Sequence, residues 1–596
     1  MARITKTYGD KMLRLDKWLG LNENPDGDTH LEIGESPEMR NFRVTRDNHL
    51  QLRPGYRPMI KLGDSPIRGM WTGYVDGQEV NLAACDGHIW KIDPVNWEKE
   101  DLGELVDDGT QFFGFSKKVY ILNGHEFYAW DGTGQIAPVE GYIPIVAIST
   151  PPAGGGALLE PVNKLTGKKR QKFSPNGSAT TFQLAETAIN EIISVETDLG
   201  AAVSYTVNLA TGIVTVTPAR PQGVNTLVIT WRKGNGDRES VTGKRFYELY
   251  NGANDTRVFL YGDGTSEAIY SDLDELGLGS AEYFPDLNVM HVDSANTPIT
   301  GMLRHYDRLL TFKTDGVFST HYSTLPLPDG TVTAGFFTST VNREIGNIAM
   351  GQVRLVQNDP LSIYGRSVYE WGLASGAVRD ERNNKRISDR VEASLSNMQL
   401  RDAICFDHEE QREYYIVSDG KALVHNYEND TWYRYTNFPA VAMSVHDNEI
   451  YFGTESGEIM HLSRLYRDDN GEAIDAYWES GSMDFGAGYL DKTTTDLWVT
   501  MKPESHARVT VTAQTNNRSR YVERVIALGL ATFSQANFAR WSFGTNRKPQ
   551  SNRRHIRVRR FEFYKLVFKS RDTASTATIL STDIQIRFGG KVQRGG

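Results

Sequence analysis

The sequence predicts an all-β chain with a β-propeller as its body. Three observations carry this: a composition rich in aromatic residues and glycine, Asp-Gly and Asn-Gly pairs set between apolar runs, and the return of that pattern every ~40–55 residues. The 596 residues include 27 Tyr, 25 Phe, 11 Trp and 55 Gly, which favours short strands and tight turns over helical bundles. Such a length suggests about four domains.

The repeating element is an apolar strand, a turn containing Gly, Asp or Asn, and a second strand bearing aromatic or branched residues. Its clearest copy runs Phe112-Phe113-Gly114-Phe115, Val119-Tyr120-Ile121-Leu122, Asn123-Gly124 and Phe127-Tyr128-Ala129-Trp130. Upstream, Ile67 to Tyr74, Val80 to Cys85, Asp86-Gly87 and Ile89 to Ile92 follow the same plan. Further copies turn at Asp263-Gly264, Asp315-Gly316, Gly365, Asp419-Gly420 and Ser456-Gly457. Asp-Gly and Asn-Gly suit two-residue hairpin turns because both residues take positive φ at low cost. A unit of three or four strands is too small to bury its own faces, so units stack, and about six or seven blades are expected. One helix breaks the pattern: Ser388 is its expected cap, and Val391, Leu395 and Met398 recur at helical spacing.

The expected organisation is an N-terminal arm and hairpin over 1–60, propeller over 61–149 and 245–474, and β-sandwiches over 150–244 and 475–596. The first sandwich is an immunoglobulin-like insert, entered through Pro151-Pro152-Ala153-Gly154-Gly155-Gly156. Its strands are read at Thr180–Leu184, Ile193–Val195, Tyr205–Val207, Ile213–Val216 and Leu227–Trp231, with Lys164, Lys168, Lys169, Arg170 and Lys172 taken as a surface loop. The second sandwich draws on Leu497–Met501, Val509–Val511, Val525-Ile526, Phe561–Phe563 and Ile584–Ile586. The N-terminal hairpin is Asn41–Val44 with His49–Leu52, either an arm or packed on that second sandwich.

Motifs for chemistry are sparse. Cys85 and Cys405 sit singly in apolar runs and read as buried free thiols. Asn22, Asn24, Asp26 and Gly27 imitate the start of a calcium loop, but Ile33 stands where its bidentate Glu is required. No Walker loop, His-Glu-x-x-His, GxSxG or dinucleotide fingerprint occurs. Neither a catalytic residue, a metal site nor a cofactor is therefore expected. Propellers can carry paired catalytic carboxylates, and Asp86, Asp263, Asp315 and Asp419 recur at equivalent places; they occupy hairpin turns, where Asp is expected for backbone reasons alone, so they are read as turn residues rather than catalytic ones. There is no secretory h-region and no apolar run of about 18 residues, so synthesis in a cytoplasm without a membrane segment is expected.

Charge is the strongest local signal. The chain carries a formal net charge of -10, yet Arg547, Lys548, Arg553, Arg554, Arg557, Arg559 and Arg560 cluster near its end. Arg540, Lys565, Lys569 and Arg571 extend the run, against only Glu562 and Asp572. Strand alternation around Ile556 and Val558 puts Arg557 and Arg559 on one face. Such a face suits phosphates or an acidic partner surface; equally, it suits solvent and acidic neighbours within the protein.

Three N-terminal stretches, Leu19-Gly20-Leu21-Asn22-Glu23-Asn24, Glu38-Met39-Arg40-Asn41-Phe42 and Leu52-Arg53-Pro54-Gly55-Tyr56, resemble the start of tailed-phage packaged-DNA stabilisation or tail nozzle proteins. Val378-Arg379-Asp380-Glu381-Arg382, Arg386-Ile387-Ser388 and Phe563-Tyr564-Lys565-Leu566-Val567-Phe568 are similar to later parts of that family. The resemblance implies a non-enzymatic ring, usually a homohexamer, in the virion tail. It would close the DNA channel below portal and adaptor, retain packaged DNA and dock fibres or other tail parts. A receptor-binding tail protein and a propeller glycosidase are the alternatives.

Overall fold

The computed structural model describes residues 10–24, 29–252, 254–293, 297–326, 332–372, 384–504, 506–516, 522–528 and 549–591. Nearly every element is a strand. The chain divides into two compact units, one formed by 68–353 and the other by 1–67 with 354–596.

In the 68–353 unit, antiparallel four-stranded meanders follow one another along the chain. They start at Ile67–Val75, Gln111–Phe115, Phe246–Asn251 and Ile299–His305. Their packing identifies the fold. Alternate residues of one strand point to opposite faces, and here both faces are buried. Val119 and Ile121 join Val80, Leu82 and Ile89 of the preceding sheet. Tyr120 and Leu122, from the same strand, join Val258, Leu260 and Ile269 of the following one. Phe259 and Ala268 then face Ile299, Leu309 and Phe318 of the next. Sheets stacked face to face in chain order, each sandwiched between its neighbours, are propeller blades.

The other unit holds three more four-stranded sets, starting at Arg354–Val356, Ile404–His408 and Ala442–His446. The last takes its fourth strand from far upstream: Gly55–Lys61 pairs antiparallel with Glu458–Ser463. Outer strands such as Lys99–Glu104 and Ala137–Pro138 escaped the sequence pattern because they are largely exposed and carry no apolar alternation.

The insert is a β-sandwich. A five-stranded sheet and a three-stranded sheet enclose Phe173, Phe182, Val195, Val214, Ile229 and Trp231. The expected basic loop is instead an inner strand, Lys168–Phe173, parallel to Ile145–Thr150 and antiparallel to Leu227–Arg232. Gln171 and Phe173 are fully buried on its inner side. The lysines are neutralised locally: Lys164 meets Asp237, Lys168 meets Glu140 and Lys169 meets Glu186 at 3.0, 3.0 and 2.6 Å. Long aliphatic stems let lysine line a strand while its charge reaches an acid, which is why the letters misled.

The C-terminal region is also a pair of sheets. One contains Gln550–Phe561, Leu490–Met501 and Thr578–Lys591, continued by the hairpin Phe42–Val44 and Leu50–Leu52, with Asp10–Leu15 also paired to Thr578–Lys591. The second runs through Ala476–Glu479, Tyr564–Ser570, Ala507–Thr515 and Val522–Leu528. Met39–Arg40 bridges it to the Thr431–Thr436 strand.

Within this unit the N-terminal segments fill a buried joint. Asn41 Nδ2 donates to Thr436 Oγ1 and the Asp475 carbonyl at 2.7 and 2.9 Å, while its Oδ1 accepts from Thr436 N and Arg53 Nε at 2.9 Å each. Arg53 in turn grips Asp469. Trp18 meets Trp478 edge-on at 4.9 Å, and both contact Phe568. The expected helix is present as a 3₁₀ turn, Asp389–Val391, and an α-turn, Glu392–Ser396. Ser388 does not cap it; its hydroxyl accepts from Val368 N. The first-turn groups of Ser394 go to the Glu23 carboxylate, at 2.7 Å each for N–H and hydroxyl.

Candidate functional site

The basic segment is the edge strand Gln550–Phe561, hydrogen-bonded to Leu490–Met501. Its register follows from the apolar residues: Ile556 and Val558 are buried, so Arg553, His555, Arg557 and Arg559 turn outward. Near its end Phe561 pairs with Lys492 and Arg559 with Thr493, a bulge that leaves Arg560 unpaired with φ 56°. Arg560 is thereby exposed on the strand as well.

The cations of this strand are not equivalent. Arg553 holds Asp496 through two bonds of 3.1 and 3.0 Å and lies over the Trp498 ring at 5.6 Å. His555 Nδ1 adds a contact to the same carboxylate at 3.2 Å. The Arg553 hydrogen bond keeps the Asp496 carboxyl below its usual range, with His555 reinforcing it against burial. Arg554 spends its donors on the carbonyls of Val525 and Arg553. Arg557, Arg559 and Arg560 are exposed, and their side chains have no ion pair or hydrogen-bond partner among the described residues. Arg547 and Lys548, like Arg540, lie outside the described residues. Thus the face offers three uncommitted guanidinium groups, each able to fork onto a carboxylate or phosphate. Asp496 was missed in sequence because it lies on another strand, some 57 positions away.

The four turn carboxylates occupy equivalent turns, and three of them have backbone duties. Asp86 and Asp419 adopt φ of 57° and 51°. Asp263 accepts from Thr265 N and binds Lys244 at 2.6 Å, and Asp315 accepts from Thr297. Of the calcium-like loop, 25–28 lies outside the described residues, and Asn22 Oδ1 accepts from Asn24 N. No group of three or more His, Cys, Asp or Glu suited to a metal ion occurs among the described residues. Cys85 and Cys405 are buried and form no disulfide, with burial pushing the Cys405 thiol up to about 11. No described helix is long and apolar enough to cross a membrane. Val378–Arg382 lies outside the described residues.

No family model matches the chain, and no curated protein matches it. Solved structures do. The computationally designed Ika8 protein is 12% identical over 68% of this chain and 99% of its own, at a TM-score of 0.29. A chain of a mitotic checkpoint complex is 8% identical over 68% and 93%, at 0.33. YCF48 from Cyanidioschyzon merolae is 9% identical over 69% and 99%, at 0.24. Scores of that size carry no argument, and the fold assignment rests on the stacked sheets.

Proposed function

We propose that the chain is a non-catalytic structural subunit of a tailed-phage tail. In this reading it is a nozzle or hub ring, with a hexamer favoured, that closes the DNA channel below portal and adaptor, retains packaged DNA and docks other tail parts. One observation carries the reading: several of the short segments that resemble the nozzle family meet at one buried joint. Asn41, Arg53 and Phe568, from three of those segments, lie at its centre, bound to Thr436, Asp469 and Trp478. Glu23, from a fourth, fastens the α-turn Glu392–Ser396. Residues so placed serve rigidity rather than turnover, and rigidity is what a wall against confined DNA requires.

The test is native mass spectrometry and negative-stain imaging of the purified chain, alone and with its virion's portal and adaptor. A closed ring, formed alone or on the adaptor, is expected. A monomer or trimer that ignores the adaptor and binds host cells would replace this reading with the receptor-binding one. Hydrolysis of host glycans would replace it with the glycosidase.

A further inference from the structure

We infer that copies of this chain dock head to tail by charge, the arginine face of Gln550–Phe561 on one copy seating against an acidic cleft on the next. The inference deepens the ring reading above by naming the contact.

The cleft has a volume of about 800 Å³ and lies in the same unit as the arginine strand. Asp402, Asp419, Glu455, Glu458, Asp469 and Glu472 line it, and among the described residues no lysine or arginine does. Asp469 is neutralised by Arg53. Asp402, Asp419, Glu455 and Glu472 are exposed and have no ion-pair partner among the described residues. Glu458 accepts from Ser456 and Glu472 from Asn437, at 3.0 and 3.4 Å, so two of the carboxylates are oriented as well as charged. Two sit on tight turns between paired strands, Asp419 between Glu413–Ser418 and Lys421–Asn426 and Glu455 between Glu449–Gly453 and Glu458–Ser463, while Glu458, Asp469 and Glu472 lie in strands. The acidic array is therefore held by backbone.

Against it stand Arg557, Arg559 and Arg560, uncommitted among the described residues and projecting from a strand whose i, i+2 positions repeat every ~6.7 Å. Opposite charges meeting across an interface set register and exclude wrong partners. Docked head to tail, the arginine face of one copy on the cleft of the next, the contact is heterologous. Each copy donates once and accepts once, and such a series ends only by closing on itself. The net charge of -10 repels a nucleic acid from the molecule as a whole, whereas a second copy brings a concentrated acidic surface.

The experiment uses the full chain at ~50 mM and ~500 mM salt, spanning strong to weak screening, read by native mass spectrometry and sedimentation velocity. Wild type is expected to assemble at low salt, with at least tenfold weaker association at high salt. Arg557→Glu/Arg559→Glu and, separately, Glu455→Lys/Glu472→Lys are each expected to be folded monomers, with melting checked by circular dichroism. Mixing the two variants restores compatible charges at every junction of an alternating series, so one-to-one assemblies are expected from the mixture alone. Rings that survive charge reversal would overturn this contact and leave the nozzle reading standing. So would a mixture that stays monomeric. Loss of duplex-DNA retention with assembly unchanged would assign the arginines to nucleic acid instead. A wild-type chain monomeric at both salts, with and without adaptor, would overturn contact and nozzle reading together.

Discussion

Arg53 and Asp469 stand 416 residues apart in the chain and meet through two contacts of 2.9 and 2.5 Å, with both side chains sealed from solvent. Arg53 also donates to the carbonyls of Pro54 and Thr436 and to Asn41, so its donors are shared among four partners. A buried pair of this kind is costly to break from one side, because the partner's charge is left without water or counter-ion.

Arg53→Met is accordingly expected to destabilise the unit by about 3–5 kcal/mol. Removing both charges in Arg53→Met/Asp469→Leu should cost clearly less than the two single changes added together. Urea denaturation of the four proteins decides the matter; additive losses would show that the pair is not coupled.

Gly55, two residues on, runs against the backbone of Asp468. A Cβ there would overlap the Asp468 carbonyl oxygen, and backbone cannot swing aside as a side-chain tip can. Gly55→Ala is expected to cost about 2 kcal/mol through overpacking. Gly109→Ala, where an added Cβ meets nothing within 4 Å, should leave the midpoint of thermal unfolding almost unmoved.

Burial pushes the Asp407 carboxyl up to about 7, and Arg412 and Arg354 offset this only in part. The folded chain then binds a proton that the unfolded chain has lost between about pH 4 and pH 7. Stability attributable to this group falls as pH rises through that window and is level above it. Asp407→Asn should therefore match wild type near pH 4 and exceed it at pH 8 by on the order of 1–2 kcal/mol, allowing for partial exposure. Urea titrations at the two pH values provide the check, and an equal difference at both would refute the assignment.

The insert has its own core, with Trp231 at zero exposure among Phe173, Phe182 and Val214. Trp231→Ala should cost that sandwich about 3–5 kcal/mol. Hydrogen exchange is expected to quicken across Leu227–Arg232 and Glu191–Thr197 while Lys118–Leu122, in a blade, keeps its protection. Uniform quickening would mean that insert and blades unfold as one.

Inner strands were legible because burial on both faces leaves a continuous apolar run, as in Val119-Tyr120-Ile121-Leu122. Outer strands such as Lys99–Glu104 were not, since an exposed edge places little demand on residue type. The strand Lys168–Phe173 was hidden by lysines that pair with acids elsewhere in the chain. In the arginine segment alternation was readable from Ile556 and Val558. Which cations are already committed was not, because Asp496 and Trp498 come from another strand. The acidic cleft was likewise invisible: Asp419, Glu455 and Glu472 come together only when separate turns and strands are folded side by side.

The pairing of Gly55–Lys61 with Glu458–Ser463 also sets the order of events on the ribosome. About 400 residues separate the partners, so at 5–20 residues per second the early strand waits roughly 20–80 s for its mate. Asp10–Leu15 waits longer still, for Thr578–Lys591. A polypeptide released before those late strands are translated cannot complete either sheet. Synthesis thus carries its own proofreading, because a prematurely terminated copy keeps a loose strand and is withheld from any assembly that needs a finished surface.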